Sequence, residues 1–414
     1  MAGAAAVAAV VAVAACSAGT HPAAGRSASP AAPQVTPGRA IVPAGVPACS
    51  TATASAPELT RVPTALEPAP GSPFGVVVTA GGRWSFVALP GMESIGVFRI
   101  GRPALPALVR QVYPYLTGQP LGEVLTHDGR YLLAADDEDG ALVISVARAE
   151  AGHGNAQVGI LGNGTAGSGA IEVAVSPDDR FAFVSLEDSA SIAVYNLQRA
   201  LTKGFGAADL VGAIPVGTGP VGLAVSPDGQ WLYATSELAR AAPSGAHSQG
   251  TLTVINLRRA ETDPGASVVA TVAAGCSPVR VVTSADGSVV WVTARGSDRL
   301  LGFSAARLRT GPGRSLIANV EVGDAPVGLA LVDGGSKIVV ADSNRFGAQG
   351  AASSLAVVGV AAALAGRAAL AGYLPAGGFP REMALEPDGR TLLVSDFSSA
   401  QLEAVDVANL TDAP

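Results

Sequence analysis

Pro220-Val221-Gly222-Leu223-Ala224-Val225-Ser226-Pro227-Asp228-Gly229-Gln230-Trp231-Leu232-Tyr233-Ala234-Thr235 decides the fold of this chain. Leu223 to Ser226 is a short, largely apolar run, as expected of a strand buried on both faces. Pro227-Asp228-Gly229 is a turn in which Pro presets φ and Gly accepts a positive one. Trp231 to Thr235 is an aromatic and branched second strand. Leu252-Thr253-Val254-Ile255-Asn256 and Val268-Val269-Ala270-Thr271-Val272 follow as third and fourth strands.

The same phrase starts at Pro73, Pro120, Ala170, Pro278, Pro326 and Pro380, which makes seven copies, spaced at roughly the 50 residues of a propeller blade. The turn recurs as His127-Asp128-Gly129, Ala285-Asp286-Gly287 and Pro387-Asp388-Gly389. Pro177-Asp178-Asp179 and Asp333-Gly334-Gly335 are variants. The period predicts an all-β chain, a seven-bladed β-propeller of four-stranded antiparallel blades over residues 58–414. A β-sandwich or an open array of hairpins does not explain seven copies of one phrase. The last unit holds only three strands. The segment from Leu59 to Leu66 is expected to supply the fourth and shut the ring, because an unpaired blade leaves open edges. Pro63 is tolerable there on an edge strand.

Of 414 residues, 14% are charged and the net charge is −7. No basic run is present, so the electrostatic footprint of a nucleic-acid binder is missing. Met1 to Cys16, MAGAAAVAAVVAVAAC, is too short for a membrane span of about 20 residues and reads as a signal peptide. Val13-Ala14-Ala15-Cys16 resembles a bacterial lipobox, in which the Cys16 thiol takes the lipid. A plain secretory signal with an incidental Cys is the alternative. No Lys or Arg precedes the run, which places the expected translation start upstream of Met1. Residues 17–57, rich in Ala, Pro, Ser, Thr and Gly, read as a flexible tether. An extracytoplasmic, lipid-anchored monomer is expected. In that oxidising setting Cys49 and Cys276 are either a disulfide or two buried thiols. The cysteines show no metal spacing. No Cys-x-x-Cys-His occurs, and no cofactor is expected.

The strand ends Tyr233-Ala234-Thr235-Ser236, Trp291-Val292-Thr293-Ala294, Phe183-Val184-Ser185-Leu186 and Leu393-Val394-Ser395-Asp396 resemble the Tyr-Val-Thr-Asn signature of the YVTN β-propeller family. The likeness runs over about residues 58–410, although Asn never fills its slot in these copies. Gly378-Phe379-Pro380-Arg381-Glu382, with Glu386-Pro387-Asp388-Gly389-Arg390 after it, is similar to the last-blade signature of the propeller lactonases, which include 6-phosphogluconolactonase. That resemblance implies a lactone hydrolase.

In a propeller, the fourth-to-first and second-to-third strand loops share one face around the channel mouth. Two places after each start, the chain enters the innermost strand at Gly75, Gly122, Glu172, Gly222, Arg280, Gly328 and Glu382. Arg381 and Glu123 lie beside these positions. The charged exceptions are the site candidates. Arg holds a carboxylate, phosphate or oxyanion, and Glu serves as base. The alternative is an Arg–Glu cluster that neutralises itself. His247, in the long loop Ser236 to Gly250, is the one histidine expected on this face. His21 lies in the tether, and His127 and His153 lie on the opposite face. Asp136-Asp137-Glu138-Asp139-Gly140 offers carboxylates for Ca²⁺ but lacks an alternating ligand pattern, and reads as a solvated acidic turn. Loops 236–250 and 342–353 are long enough to carry partner contacts. The Ala-rich Val357 to Ala371 reads as a short helix or an extended connection. The favoured function is a surface binding or scaffold module for a protein, glycan or small ligand. The second is a lactonase-like hydrolase using Arg381, Glu382, Arg280 and Glu172.

Overall fold

The computed structural model describes residues 40–410 except 51, 60–63, 102–105, 116–117, 139, 153–154, 163–165, 240–248, 346 and 348–352. Cys16, His21, Pro63, His153 and His247 therefore lie outside the described residues. Seven four-stranded antiparallel sheets follow one another. Blade 1 is Val76–Val78, Trp84–Leu89, Ser94–Arg99 and Ala107–Val112. Blade 4, with the longest strands, is Thr218–Val225, Trp231–Leu238, Gln249–Asn256 and Val268–Cys276. The innermost strands of blades 2, 3, 5 and 6 are Pro120–Leu125, Ala170–Val175, Pro278–Thr283 and Pro326–Val332. Each innermost strand touches the next, and that of blade 7, Pro380–Leu385, touches that of blade 1. The ring is closed.

Closure comes from the N-terminal strand Thr64–Pro68, which pairs with Gln401–Asp406 in the register Leu66↔Glu403 and Glu67↔Leu402. The strand sits further along than the expected Leu59–Leu66. Leu59 itself donates to Tyr373 O of blade 6 at 2.7 Å. It belongs to a belt that the composition alone suggested was loose. Ile41 makes a parallel bridge to Val272 of blade 4, and Ser50 and Ala54 donate to Gly296 O and Val322 O of blade 5, each at 3.1 Å. Residues 41–59 thus run along the wall of blades 4, 5 and 6 before the chain enters blade 7. Cys49 is joined to Cys276 by a disulfide, with their Cα atoms 5.3 Å apart.

A hydroxyl explains the Thr or Ser near the end of the second strand. The innermost strands of blades 3, 4, 5 and 7 carry an irregularity in register just after their start. Such a bulge removes an N–H from its ladder partner. The freed N–H groups of Glu172, Gly222, Arg280 and Glu382 each donate to Ser185, Thr235, Thr293 and Ser395 Oγ or Oγ1, all at 3.0 Å. Three of those hydroxyls then donate across to the next blade: Thr235 to Val279 O, Thr293 to Val327 O and Ser395 to Phe74 O, at 2.6–2.7 Å. The repeat signature is therefore a blade-to-blade clip. The Ser-Pro-Asp turns are also wired. Ser226 donates to Asp228 Oδ1, which accepts from Gln230 N, while Ser226 Oγ accepts from Trp231 N.

The third-to-fourth connections contain helices that strand periodicity did not reveal. Val146–Ala151, Leu197–Lys203, Leu257–Ala260 and Ala305–Thr310 are each capped by a strand-terminal Ser or Asn, namely Ser145, Asn196, Asn256 and Ser304. Val360–Leu364 is the helix within the Ala-rich segment.

Thr293→Val keeps the shape but orphans the buried Arg280 N–H, and is expected to cost about 1–3 kcal/mol in chemical denaturation. Cys49→Ser frees the belt from the 4–5 blade junction. It is expected to lower stability by about 2–5 kcal/mol, read as a lower melting temperature and faster proteolysis within residues 41–59.

Candidate site at the channel mouth

An apolar collar surrounds the axis. Phe74, Leu121, Ile171, Val221, Val279 and Val327 occupy the same position in six copies of the repeat and are buried in one cluster. In blade 7 that position is Arg381.

One residue further along the strands, three charges meet from alternate blades. Arg280 of blade 5 donates through Nε to Glu382 Oε1 of blade 7, and its Nη2 pairs with the same oxygen. Glu172 Oε2 of blade 3 stands 3.5 Å from Arg280 Nε. Arg280 Nη1 donates to Val221 O at 3.3 Å. Arg280 is only 6% exposed, so this is a desolvated pair, strongly costly to break from one side. Two carboxyls share one guanidinium. Burial, with the Glu382 charge beside it, pushes Glu172 up to about 8 despite Arg280. Glu123 is buried nearby, with the Ala88 backbone beside its carboxyl. Burial raises it well above the usual carboxylate range, and the Glu172 charge adds to this. The glycines have a spatial reason. A Cβ on Gly122 would stand 2.7 Å from Glu172 Oε1, and one on Gly75 3.0 Å from Glu123 Cγ. These glycines leave room for the neighbouring blade's carboxyl.

Arg381 is placed differently. Its guanidinium carbon lies 3.6 Å from the Phe74 ring centroid and 5.4 Å from those of Phe379 and Phe397. Its buried Nε has no hydrogen-bond partner among the described residues. Burial and the nearby Arg280, Arg345 and Arg295 charges bring it down to about 9, against the pull of Glu382. It is an aromatic-stacked cation with positive neighbours.

Sequence reasoning missed a second circle of residues. The first position past the second strand is Asp137, Glu187, Arg295, Ser343 or Phe397 in blades 2, 3, 5, 6 and 7, and the matching residue of blade 4 is Glu237. Arg295 Nη2 pairs with Glu237 Oε1 at 2.7 Å. Burial and the Glu237 and Asp188 charges push Glu187 up to about 7, while Arg295 and Arg381 oppose the rise. The signal was present as a charge recurring at one register position of the repeat.

His127, on the opposite face, pairs with Asp179 at 2.7 Å. Asp136, from the acidic run, accepts from Gly118 N at 2.8 Å and holds the loop entering its own blade. Asp342 and Asp396 occupy the same place against Gly323 and Gly377, where a Cβ would approach within 2.4 and 2.2 Å. Among the described residues, no group of three or more His, Cys, Asp or Glu side chains is placed to hold a metal ion.

Asp396 and Glu403 are both buried within blade 7. Burial and the Glu403 charge push Asp396 up to about 8, and burial pushes Glu403 to about 7. The folded chain therefore holds protons that the unfolded chain releases above about pH 4. Stability from these groups is present below that pH and is lost as pH rises through 7–8. The melting temperature is expected to fall from pH 5 to pH 8.5, and Asp396→Asn should flatten that slope.

The model of the family described as "Lactonase, 7-bladed beta-propeller" matches residues 201–412. No curated protein matches the chain. Among solved structures, one titled Kuenenia stuttgartiensis hydrazine synthase superposes with a TM-score of 0.64 at 17% identity, covering 86% of this chain and 99% of that one. A chain from a crystal structure of the mitotic checkpoint complex gives 0.64 at 14% identity, covering 86% and 97%. At such identities these likenesses speak for the fold alone. Family match and blade architecture agree over the C-terminal half: the chain belongs to the lactonase family of seven-bladed β-propellers.

Proposed function

We propose that this protein is an exported, lipid-anchored propeller that binds a small anionic ligand at its channel mouth. One contrast carries the reading: Arg280 is ion-paired with Glu382 and Glu172, whereas Arg381 stacks on the Phe74 ring and its buried Nε has no hydrogen-bond partner among the described residues. A buried guanidinium with cationic neighbours favours a carboxylate or phosphate, which would supply the missing charge-assisted hydrogen bonds. The apolar collar around it keeps the dielectric low and strengthens that attraction. Export is supported by the apolar run ending at Cys16 and by the Cys49–Cys276 disulfide, which suits an oxidising compartment. The hydroxyl clip at Ser185, Thr235, Thr293 and Ser395 supports placing the repeat with the YVTN-type propellers.

The second reading is lactone hydrolysis. It is favoured by family membership and by Glu187, whose value near 7 suits a general base at neutral pH. In that scheme Glu187 takes a proton from water as it attacks the lactone carbonyl, Arg381 faces the developing oxyanion, and the proton passes to the ring oxygen as the acyl C–O bond breaks.

Calorimetric titration with gluconate and 6-phosphogluconate, beside a gluconolactone hydrolysis assay, separates the two. Binding is expected, weakened about tenfold or more in Arg381→Gln, with no hydrolysis above the uncatalysed rate. Hydrolysis that rises with a midpoint near pH 7 and is lost in Glu187→Gln would replace the binding reading with the enzymatic one. Binding unchanged in Arg381→Gln would remove both.

A further inference from the structure

We propose that the outer wall between blades 1 and 2 carries a platform for a neutral carbohydrate. The belt of residues 41–59 lies along blades 4 to 6. The wall at blades 1 and 2 instead presents Tyr113 and Tyr115, 61% and 83% exposed. The chain has six tyrosines, and Tyr195 and Tyr233 are almost wholly buried. Two large rings left in solvent side by side call for an occupant.

Tyr113 is held through its hydroxyl and Tyr115 through its backbone. Tyr113 Oη donates to Gln111 Oε1 at 2.8 Å, and that oxygen also accepts from Ser94 Oγ at 3.0 Å. Tyr115 is gripped through its backbone by an amide from the next blade. Its N–H donates to Gln157 Oε1 at 2.7 Å, and Gln157 Nε2 donates back to Tyr115 O at 3.4 Å. Exposed side chains normally lose rotamer freedom when they bind. Here part of that cost is met before the ligand arrives. Tyrosine adds broad apolar contact with few rotatable bonds and a polar tip.

The lining names the chemistry. Val112, Tyr113, Tyr115, Asn155, Ala156 and Gln157 form a groove of about 110 Å³, several times what one water needs. Among the described residues its lining has no acid, lysine, arginine or histidine, and those residues do not select a charged ligand. Flat rings match the C–H faces of a pyranose, and the Asn155 amide and the tyrosine hydroxyls offer donors and acceptors to its hydroxyl groups. The site needs neither Arg381 nor the mouth, and it stands or falls separately from the function proposed there.

The test is titration of the full chain with neutral tetrasaccharides of glucose, mannose, galactose and N-acetylglucosamine, followed by calorimetry and by NMR of labelled tyrosine rings. At least one tetramer is expected to bind and to shift both ring signals. Tyr115→Ala should weaken it about tenfold or more. Gln157→Leu, which loosens Tyr115 without removing a ring, should weaken it by a smaller factor. Both tyrosines are exposed, so unchanged melting temperatures will confirm that the variants fold. Absence of binding by all four tetramers, full binding by the Tyr113→Ala/Tyr115→Ala double variant, or displacement by a sulfated polysaccharide at low concentration would each overturn the proposal.

Discussion

The backbone pairing of Thr64–Pro68 with Gln401–Asp406 is the constraint on which the rest depends. It joins strands more than three hundred residues apart and turns a row of seven sheets into a circle. Only in a circle do Glu172, Arg280 and Glu382 face one another, since they come from blades 3, 5 and 7. The same holds for Arg381 over Phe74, which spans the junction of blade 7 with blade 1. Ser395 secures that junction with a hydroxyl bond to Phe74 O at 2.6 Å. The belt and its disulfide hold the chain that leads into the closing strand. A ring of this kind packs each blade's inner edge against its neighbours around the axis, and β-sheet edges are otherwise open to association.

Closure also decides how the central charges are to be understood. Arg280 with two carboxyls looks catalytic when seen as a set of residue types. Its geometry says otherwise: every charged contact is directed inward, and the apolar collar surrounds the axis one step nearer the mouth. Such a knot fixes the approach of three blades at the axis and gives the channel a specific filling, at a desolvation cost that its mutual pairing offsets. Family membership does not settle function, because function resides in the site and not in the fold. What distinguishes the mouth of this protein is the separation of roles. The deeper arginine is neutralised by protein groups, and the shallower one stacks on aromatic rings.

The seven starts, the Asp-containing turns and the need for a closing strand were legible because each is local and repeated. Pro220 to Thr235 alone contains the strand, the turn and the clip residue. The docking of residues 41–59 was not legible. Its contacts are mostly backbone hydrogen bonds to outer strands, such as Ala54 N to Val322 O, and these leave no side-chain pattern in an Ala- and Pro-rich stretch. The mouth was half legible. Glu172, Arg280, Arg381 and Glu382 stood out as departures from Gly or an apolar residue at repeat positions. Which of them pair was decided by distances across the channel, not along the chain. Glu187, Glu237 and Arg295 were overlooked because attention rested on the first strand, although their register past the second strand is equally regular. The tyrosine platform has no repeat signature at all, since it is built from one blade boundary and recurs nowhere else in the phrase.

The division of labour between the two arginines can be measured directly by NMR of their guanidinium Nε–H groups. Arg280 Nε–H should exchange slowly with water and keep its chemical shift when gluconate is added, while the Arg381 resonance moves. An Arg280 signal that exchanges fast in the free protein, or that shifts together with Arg381 on titration, would contradict the account.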